Sequence, residues 1–301
     1  MPNTLAHIGL NGLATRGLIR DADVKWIYLG CILPDAPWIL QRAVQGLAAG
    51  VSLYELRLYA IVQGTLLLCL LLAAGLACVS TRPRRVFAIL ALGSFFHLLL
   101  DALETKWANG VHLFAPVSWE LLNFGLFWPE DVPSLGLTGF GLLYFVYAWL
   151  RIPPAPFDLT WPKGRTLAVG AACLAAYLSL PWALLPAVEA ADNHYVGTLR
   201  EVEARPGRAV EFDRNAYRHE PGGGVLRTWA GETLALQGAD LDASGTVSLR
   251  GRFIDRQTVQ VEAVHVHAPL LRDASSYLGL ALVVLAWVRP LRLPRGAVLR
   301  G

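Results

Sequence analysis

Charge is what this chain has least of. Only 16% of its 301 residues are Asp, Glu, Lys or Arg, against roughly 25% in a soluble domain. With 54% hydrophobic residues and a positive mean hydropathy, that deficit excludes an ordinary soluble globule. Cysteine is scarce as well. Cys31, Cys69, Cys78 and Cys173 lie in apolar surroundings with no Cys-x-x-Cys spacing. This excludes a disulfide framework or a thiolate zinc site and leaves small buried hydrophobes. Residues 1–19 are interrupted by Asn3, His7, Asn11, Gly12 and Arg16 and lack a basic start and a small-residue cleavage site. No secretory signal peptide is therefore expected. There is no internal repeat, and no low-complexity tract beyond Gly222-Gly223-Gly224. A net charge of +3 is too small to argue for nucleic acid.

What the chain does have is long apolar runs. Five reach spanning length, near residues 58–79, 86–103, 134–150, 166–188 and 274–290. An integral membrane protein with about five spanning helices is the expectation. Basic residues orient it. Arg82, Arg84 and Arg85 follow the first run, Arg151, Lys163 and Arg165 the third, and Arg289, Arg292, Arg295 and Arg300 the last. Those segments share one side of a five-span chain, which the positive-inside rule makes cytoplasmic. The other side carries Glu104, Glu120, Glu130 and Asp131 against Lys106. A cytoplasmic C-terminus fits this pattern.

Ahead of the spans, Leu5–Leu18 and Val24–Leu33 are short apolar stretches separated by Arg16, Arg20, Asp21, Asp23 and Lys25. The first is about 20 Å long as a helix, too short for a hydrocarbon core near 30 Å. A helical hairpin inserted from the outer side is expected, with two ordinary spans as the alternative; either brings His7 level with Leu33-Pro34-Asp35. The chain then divides into a helical domain over 1–190, a β domain over 191–272, and a final span with a basic tail over 273–301. In 191–272 about a quarter of the residues are charged, and short alternating segments recur at Tyr195–Val202, Arg208–Phe212, Thr233–Gln237, Thr246–Phe253 and Thr258–Val266. Period-2 alternation marks half-buried strands, and five of them suit a small OB-like barrel on the outer side. Its balanced charge and few aromatics beyond Trp229 argue against nucleic acid. A lid, or a protein or glycan contact, fits better.

The chemistry centres on Phe95-Phe96-His97-Leu98-Leu99-Leu100-Asp101. Four residues apart on a helix, His97 and Asp101 share one face. An ionisable group at membrane depth costs roughly 2.5–3.5 kcal/mol. Imidazole and carboxylate are also ligand types of a divalent ion, which would offset that cost. A self-satisfied polar pair, or the lining of an ion path, is the alternative. His7 and the proline-flanked Asp35 are further ligand candidates, although Asp35 can equally be a helix stop. His112 can fold back as a ligand or an acid/base, or be an ordinary interfacial histidine. Glu104 and Glu120 are candidate general bases or solvated carboxylates. His265 and His267 share a strand face, where two half-exposed histidines need no metal to explain them.

The early His7, the Leu33-Pro34-Asp35 turn, the intramembrane His97-x3-Asp101 and the following Gly110-Val111-His112-Leu113-Phe114-Ala115-Pro116 together resemble a family. It is that of the LexA-binding, inner-membrane-associated metal-dependent hydrolases, distantly similar to zinc-dependent phospholipase C. The resemblance covers roughly residues 1–150 and implies His7, Asp35, His97 and Asp101 as metal ligands. It departs at two places. Ala36, Pro37 and Trp38 stand where the family continues with a second Asp and a His, and Leu56–Thr65 lacks the histidines of a His-Arg-Gly-x-Thr-His-Ser-like motif. One divalent ion, zinc, is therefore the expectation rather than two. The implied function is hydrolysis of a lipid or lipid-linked (phospho)ester at the outer face, with Glu104, Glu120 or His112 as acid/base. The alternative is a catalytically inactive membrane scaffold whose β domain recruits an extracytoplasmic partner. A conducting protein would want ionisable residues in several spans, and the other runs have essentially none.

Overall fold

The computed structural model describes residues 3–47, 50–221, 223–239, 241–268 and 270–292. The N-terminal hairpin is present as α1 (Thr4–Leu18) and α2 (Val24–Ile32), each opened by a side-chain cap: Asn3 accepts from the Ala6 amide and Asp23 from that of Lys25. Then come α3 (Ala36–Leu47), α4 (Leu53–Gln63), α5 (Leu66–Ala77), α6 (Pro83–Leu103), α7 (Val132–Arg151) and α8 (Gly164–Ala191), with α10 (Leu271–Val288) after the β domain. Among the described residues, four helices are long and apolar enough to cross a membrane: 83–103, 132–151, 164–191 and 272–291. The expected first span, 58–79, is instead the broken pair α4 and α5, bent by 72°. At the break, Gly64 closes α4 onto the Ala60 carbonyl and Thr65 donates its hydroxyl to the Val62 carbonyl. Hydropathy averages over such a corner and does not register it.

Small residues set the helix crossings. Added Cβ atoms at Gly93 of α6 and Gly141 of α7 would lie 2.9 Å from Gly30 Cα and 1.8 Å from the Leu5 carbonyl oxygen. Only glycine permits these approaches. The first contact seats α2 against α6, and the second seats α1, with His7, against α7. Gly141→Val is accordingly expected to lower stability by at least about 1–3 kcal/mol. A depressed thermal midpoint in detergent checks this.

The β domain is a closed five-stranded barrel of β1 (Ala209–Glu220), β2 (Gly223–Arg227), β3 (Thr233–Gln237), β4 (Gly245–Phe253) and β5 (Thr258–Val266). Its order is β1-β2-β3-β5-β4, with β3 and β5 parallel and the other neighbours antiparallel. Phe212, Leu226, Leu234, Leu249, Phe253 and Val259 fill it. Two expectations change. Tyr195–Val202 is not a strand but contains α9 (Val196–Arg200). Asp192 imposes the turn there: its carboxylate accepts from the Gly197 and Thr198 amides and from the Thr198 hydroxyl. Conversely, β2 is a strand absent from the five expected segments; it opens on Gly223 and Gly224, where the Tyr217 ring lies so close to Gly224 that a Cβ would meet it at 2.2 Å. Of the basic tail, residues 293–301 lie outside the described residues.

Candidate functional site

α6 presents His97 and Asp101 on one buried face, and the hairpin delivers the rest. The Gly30–Gly93 contact places the Cys31 carbonyl 2.5 Å from His97 Nδ1. A carbonyl only accepts, so Nδ1 carries a proton and Nε2 faces the carboxylates, where the neutral ring would offer its lone pair. Metal-bound histidines are commonly held this way. Around that atom lie Asp35 Oδ1 at 3.6 Å and Asp101 Oδ2 at 3.7 Å. His7 Nε2 stands 3.4 Å from Asp101 Oδ1, and the two imidazoles stack at 3.8 Å with planes 8° apart.

These separations decide what the cluster can do. They are too long for good hydrogen bonds, and both ring nitrogens of His7, His97 Nε2, Asp101 Oδ1 and Asp35 Oδ1 are buried without hydrogen-bond partners. Unpaired polar atoms at that depth are costly. Four ligand atoms about 2.1 Å from a central ion sit about 3.4 Å from one another, which is close to the spacing observed. One ligand atom each from His7, His97 and Asp101 lies within 4.8 Å of the other two, so these three can hold an ion. Asp35 reaches the group through His97 alone. The donor set, two imidazole nitrogens and carboxylate oxygens, suits a divalent ion of borderline hardness.

Lys106 borders the cluster, with its Nζ 3.4 Å from Asp101 Oδ2 and 3.8 Å from Glu104 Oε2. Burial opposes its charge, but Asp101, Glu104 and Asp213 hold its pKa above the ordinary value. Asp101 also opens on a cavity of about 480 Å³ between the helices and the barrel. Of the three acid/base candidates only His112 lines it; Glu104 is fully buried beside Lys106, and Glu120 is exposed. His112 Nε2 lies 3.0 Å from Nε2 of His194, whose Nδ1 faces the Ala108 carbonyl at 3.1 Å. Burial pushes His112 down to about 4 and holds His194 well below the ordinary imidazole value, there helped by His112 and Arg57. Two neutral rings sharing one proton make a relay on the cavity wall. His194 escaped the sequence reading; its only signal is the polar Asp192-Asn193-His194 that ends α8.

A second group, Glu130, His265 and His267, also has geometry that can hold an ion. Here the atoms are already engaged. His267 Nδ1 meets Glu130 Oε1 at 3.0 Å, its Nε2 meets Ser248 Oγ at 2.8 Å, and His265 Nε2 lies 3.4 Å from Glu130 Oε2. Arg214, at a β1 bulge with φ +54°, brings Nη1 within 3.0 Å of His267 Nδ1 and 3.3 Å of Glu130 Oε1. That cation stands where a metal would. Ser248 is fully buried, so the Ser248–His267–Glu130 chain offers no accessible nucleophile. The network latches the barrel to the loop ahead of α7.

Burial opposes the Glu130 charge, but His267, His265 and Arg214 draw its pKa from 4.5 down to about 2. A lowered folded pKa means that the latch contributes fully above pH 4.5 and loses its contribution as pH falls through about 2. Trp128 stacks on His265 at 3.8 Å and reports the change. Its fluorescence is expected to shift between pH 4.5 and 2 in the wild type, and to be flat there in Glu130→Gln.

No protein-family model, curated protein or solved structure matches the chain.

Proposed function

We propose that this chain is a metal-dependent membrane hydrolase that holds one divalent ion, zinc, on His7, His97 and Asp101 with Asp35 beside them. The observation that carries the reading is the convergence of buried, unpartnered imidazole and carboxylate atoms at 3.4–3.7 Å. When bound, such an ion lowers the pKa of a coordinated water towards about 7 and polarises a phosphoryl oxygen. The protein's own groups do the rest. The Cys31 carbonyl fixes the tautomer of His97, and Lys106 holds Asp101 in place. The neutral His112 ring, whose Nε2–H donates to His194 Nε2, accepts or returns a proton at its Nδ1.

The substrate class is a lipid or lipid-linked phosphoester. It is supported by a polar cavity, rich in arginine, that meets Asp101 inside a set of long apolar helices. The side chosen by the basic loops assigns the site and barrel to the outer face of a bacterial inner membrane. There the barrel lids the cavity and is free to contact a protein or glycan.

The test uses the full chain in lipid nanodiscs with dihexanoyl phosphatidylcholine as probe. Release of phosphocholine or phosphatidate that chelation and Asp101→Asn both abolish supports the proposal. A metal-loaded protein that turns over neither this probe nor dihexanoyl phosphatidylglycerol favours the inactive scaffold, to which the histidine-free Leu56–Thr65 segment also points.

A further inference from the structure

The cavity beside Asp101 carries more positive charge than the hydrolytic cluster explains. Five arginines line it, Arg42, Arg57, Arg214, Arg227 and Arg272, against three aspartates. Arg214 faces Glu130 and Arg272 faces Asp273. Arg57 differs from both. It projects from α4 against Trp38 of α3 and Trp229 of the β2–β3 turn, with Cζ 5.6 and 4.6 Å from the ring centroids. Its Nε is buried without a hydrogen-bond partner, and among the described residues no carboxylate forms an ion pair with it. Asp213, on the same cavity wall, is taken up by Asn109 at 2.9 Å and Ser248 at 3.2 Å.

A guanidinium held by its faces against indoles keeps its N–H edge free, in the planar fork that matches two oxygens of a phosphate. Arg57 is half-buried with its Nε covered; without an anion such a charge is costly, and an arriving phosphate offsets that cost. The two tryptophans come from different parts of the fold, one from the helical hairpin region and one from the barrel. The clamp therefore exists only when the barrel is docked.

We propose that Arg57, clamped against Trp38 and Trp229, is the receptor of a phosphate-binding subsite that takes the phosphate of a lipid-linked substrate. That the phosphate belongs to a substrate rests on the hydrolase reading; the anion site itself rests on the cavity and the unpaired guanidinium.

Calorimetric titration of the detergent-solubilised full chain with inorganic phosphate and with dihexanoyl phosphatidate tests it, with dihexanoylglycerol as the phosphate-free control. Both phosphates are expected to bind saturably and the control not at all. Arg57→Gln is expected to weaken both by at least about tenfold. Arg57→Lys, which keeps the charge and loses the fork, falls between the two and decides the matter if the glutamine variant melts early. Tighter binding of phosphatidate than of phosphate supports a lipid-linked source; equal affinities overturn that part and assign free phosphate. Unchanged affinity in Arg57→Gln overturns the subsite. His97→Ala separates the two proposals. Arg57-dependent binding in a chain that holds no metal leaves the subsite standing without the hydrolase, and bound metal with no Arg57 dependence does the reverse.

Discussion

His97→Ala is expected to abolish stoichiometric metal and to remove the stabilisation that metal confers. Altering groups that merely orient a ligand costs about 10–100-fold in metal affinity, so deleting a ligand should cost at least about 100-fold. The expectation follows from the position of His97 in the cluster: its Nε2 lies within 3.7 Å of both Asp35 and Asp101, and its ring stacks on His7. Linkage supplies a second readout. An ion that binds only the folded state stabilises by about 2.7 kcal/mol at 100 times its Kd, so chelation should lower the wild-type thermal midpoint. In His97→Ala the midpoint should no longer respond to chelator. A chelator response of equal size in both proteins places the ion elsewhere, with Glu130, His265 and His267 next to examine.

Glu232→Ala is expected to have the largest effect on stability. Its partner, Arg205, is fully buried and donates to both Glu232 carboxylate oxygens, each at 2.7 Å. The same guanidinium donates to the Arg256 carbonyl at 2.8 Å and to the Leu199 carbonyl, and it lies 5.2 Å over the Phe253 ring. Removing the carboxylate strands a buried cation, which costs about 3–5 kcal/mol. The damage reaches the site, because Thr228 and Glu232 pair across the turn that carries Trp229. Loss of the barrel transition in a thermal melt, and loss of Arg57-dependent phosphate binding with it, are the results to look for. Glu232→Gln, whose amide oxygen keeps one of the two acceptors, should lie between the variant and wild type.

How much of this was legible beforehand differs by kind of signal. His97 and Asp101 were visible because two ionisable residues at helical spacing stand out in an apolar run, and their burial together follows from α6 geometry. The meeting with His7 and Asp35 depended on the hairpin, whose two short helices were readable from the charges between them. Four of the five strands are readable by alternation; β2, in the glycine run, is not, and the barrel closes only with it between β1 and β3. The 72° corner at Gly64-Thr65 was not, because composition is the same on both sides of a bend. Neither was α9, where one carboxylate, Asp192, overrides local alternation. The Arg57 clamp and the Arg205 pair were illegible for a different reason: their partners lie far away in sequence and meet only when the barrel docks or closes. His265 lies on β5, but His267 falls just past its end and is buried rather than half-exposed, and nothing local announces Glu130 and Arg214 as the groups they meet.

Elemental analysis of the full chain, purified in detergent without chelator and beside His97→Ala and Asp101→Ala, tests the central claim most directly. The account predicts about one equivalent of a divalent metal per chain in the wild type and none in either variant, with all three proteins folded. A wild type free of metal, or variants that retain it in full, would contradict it.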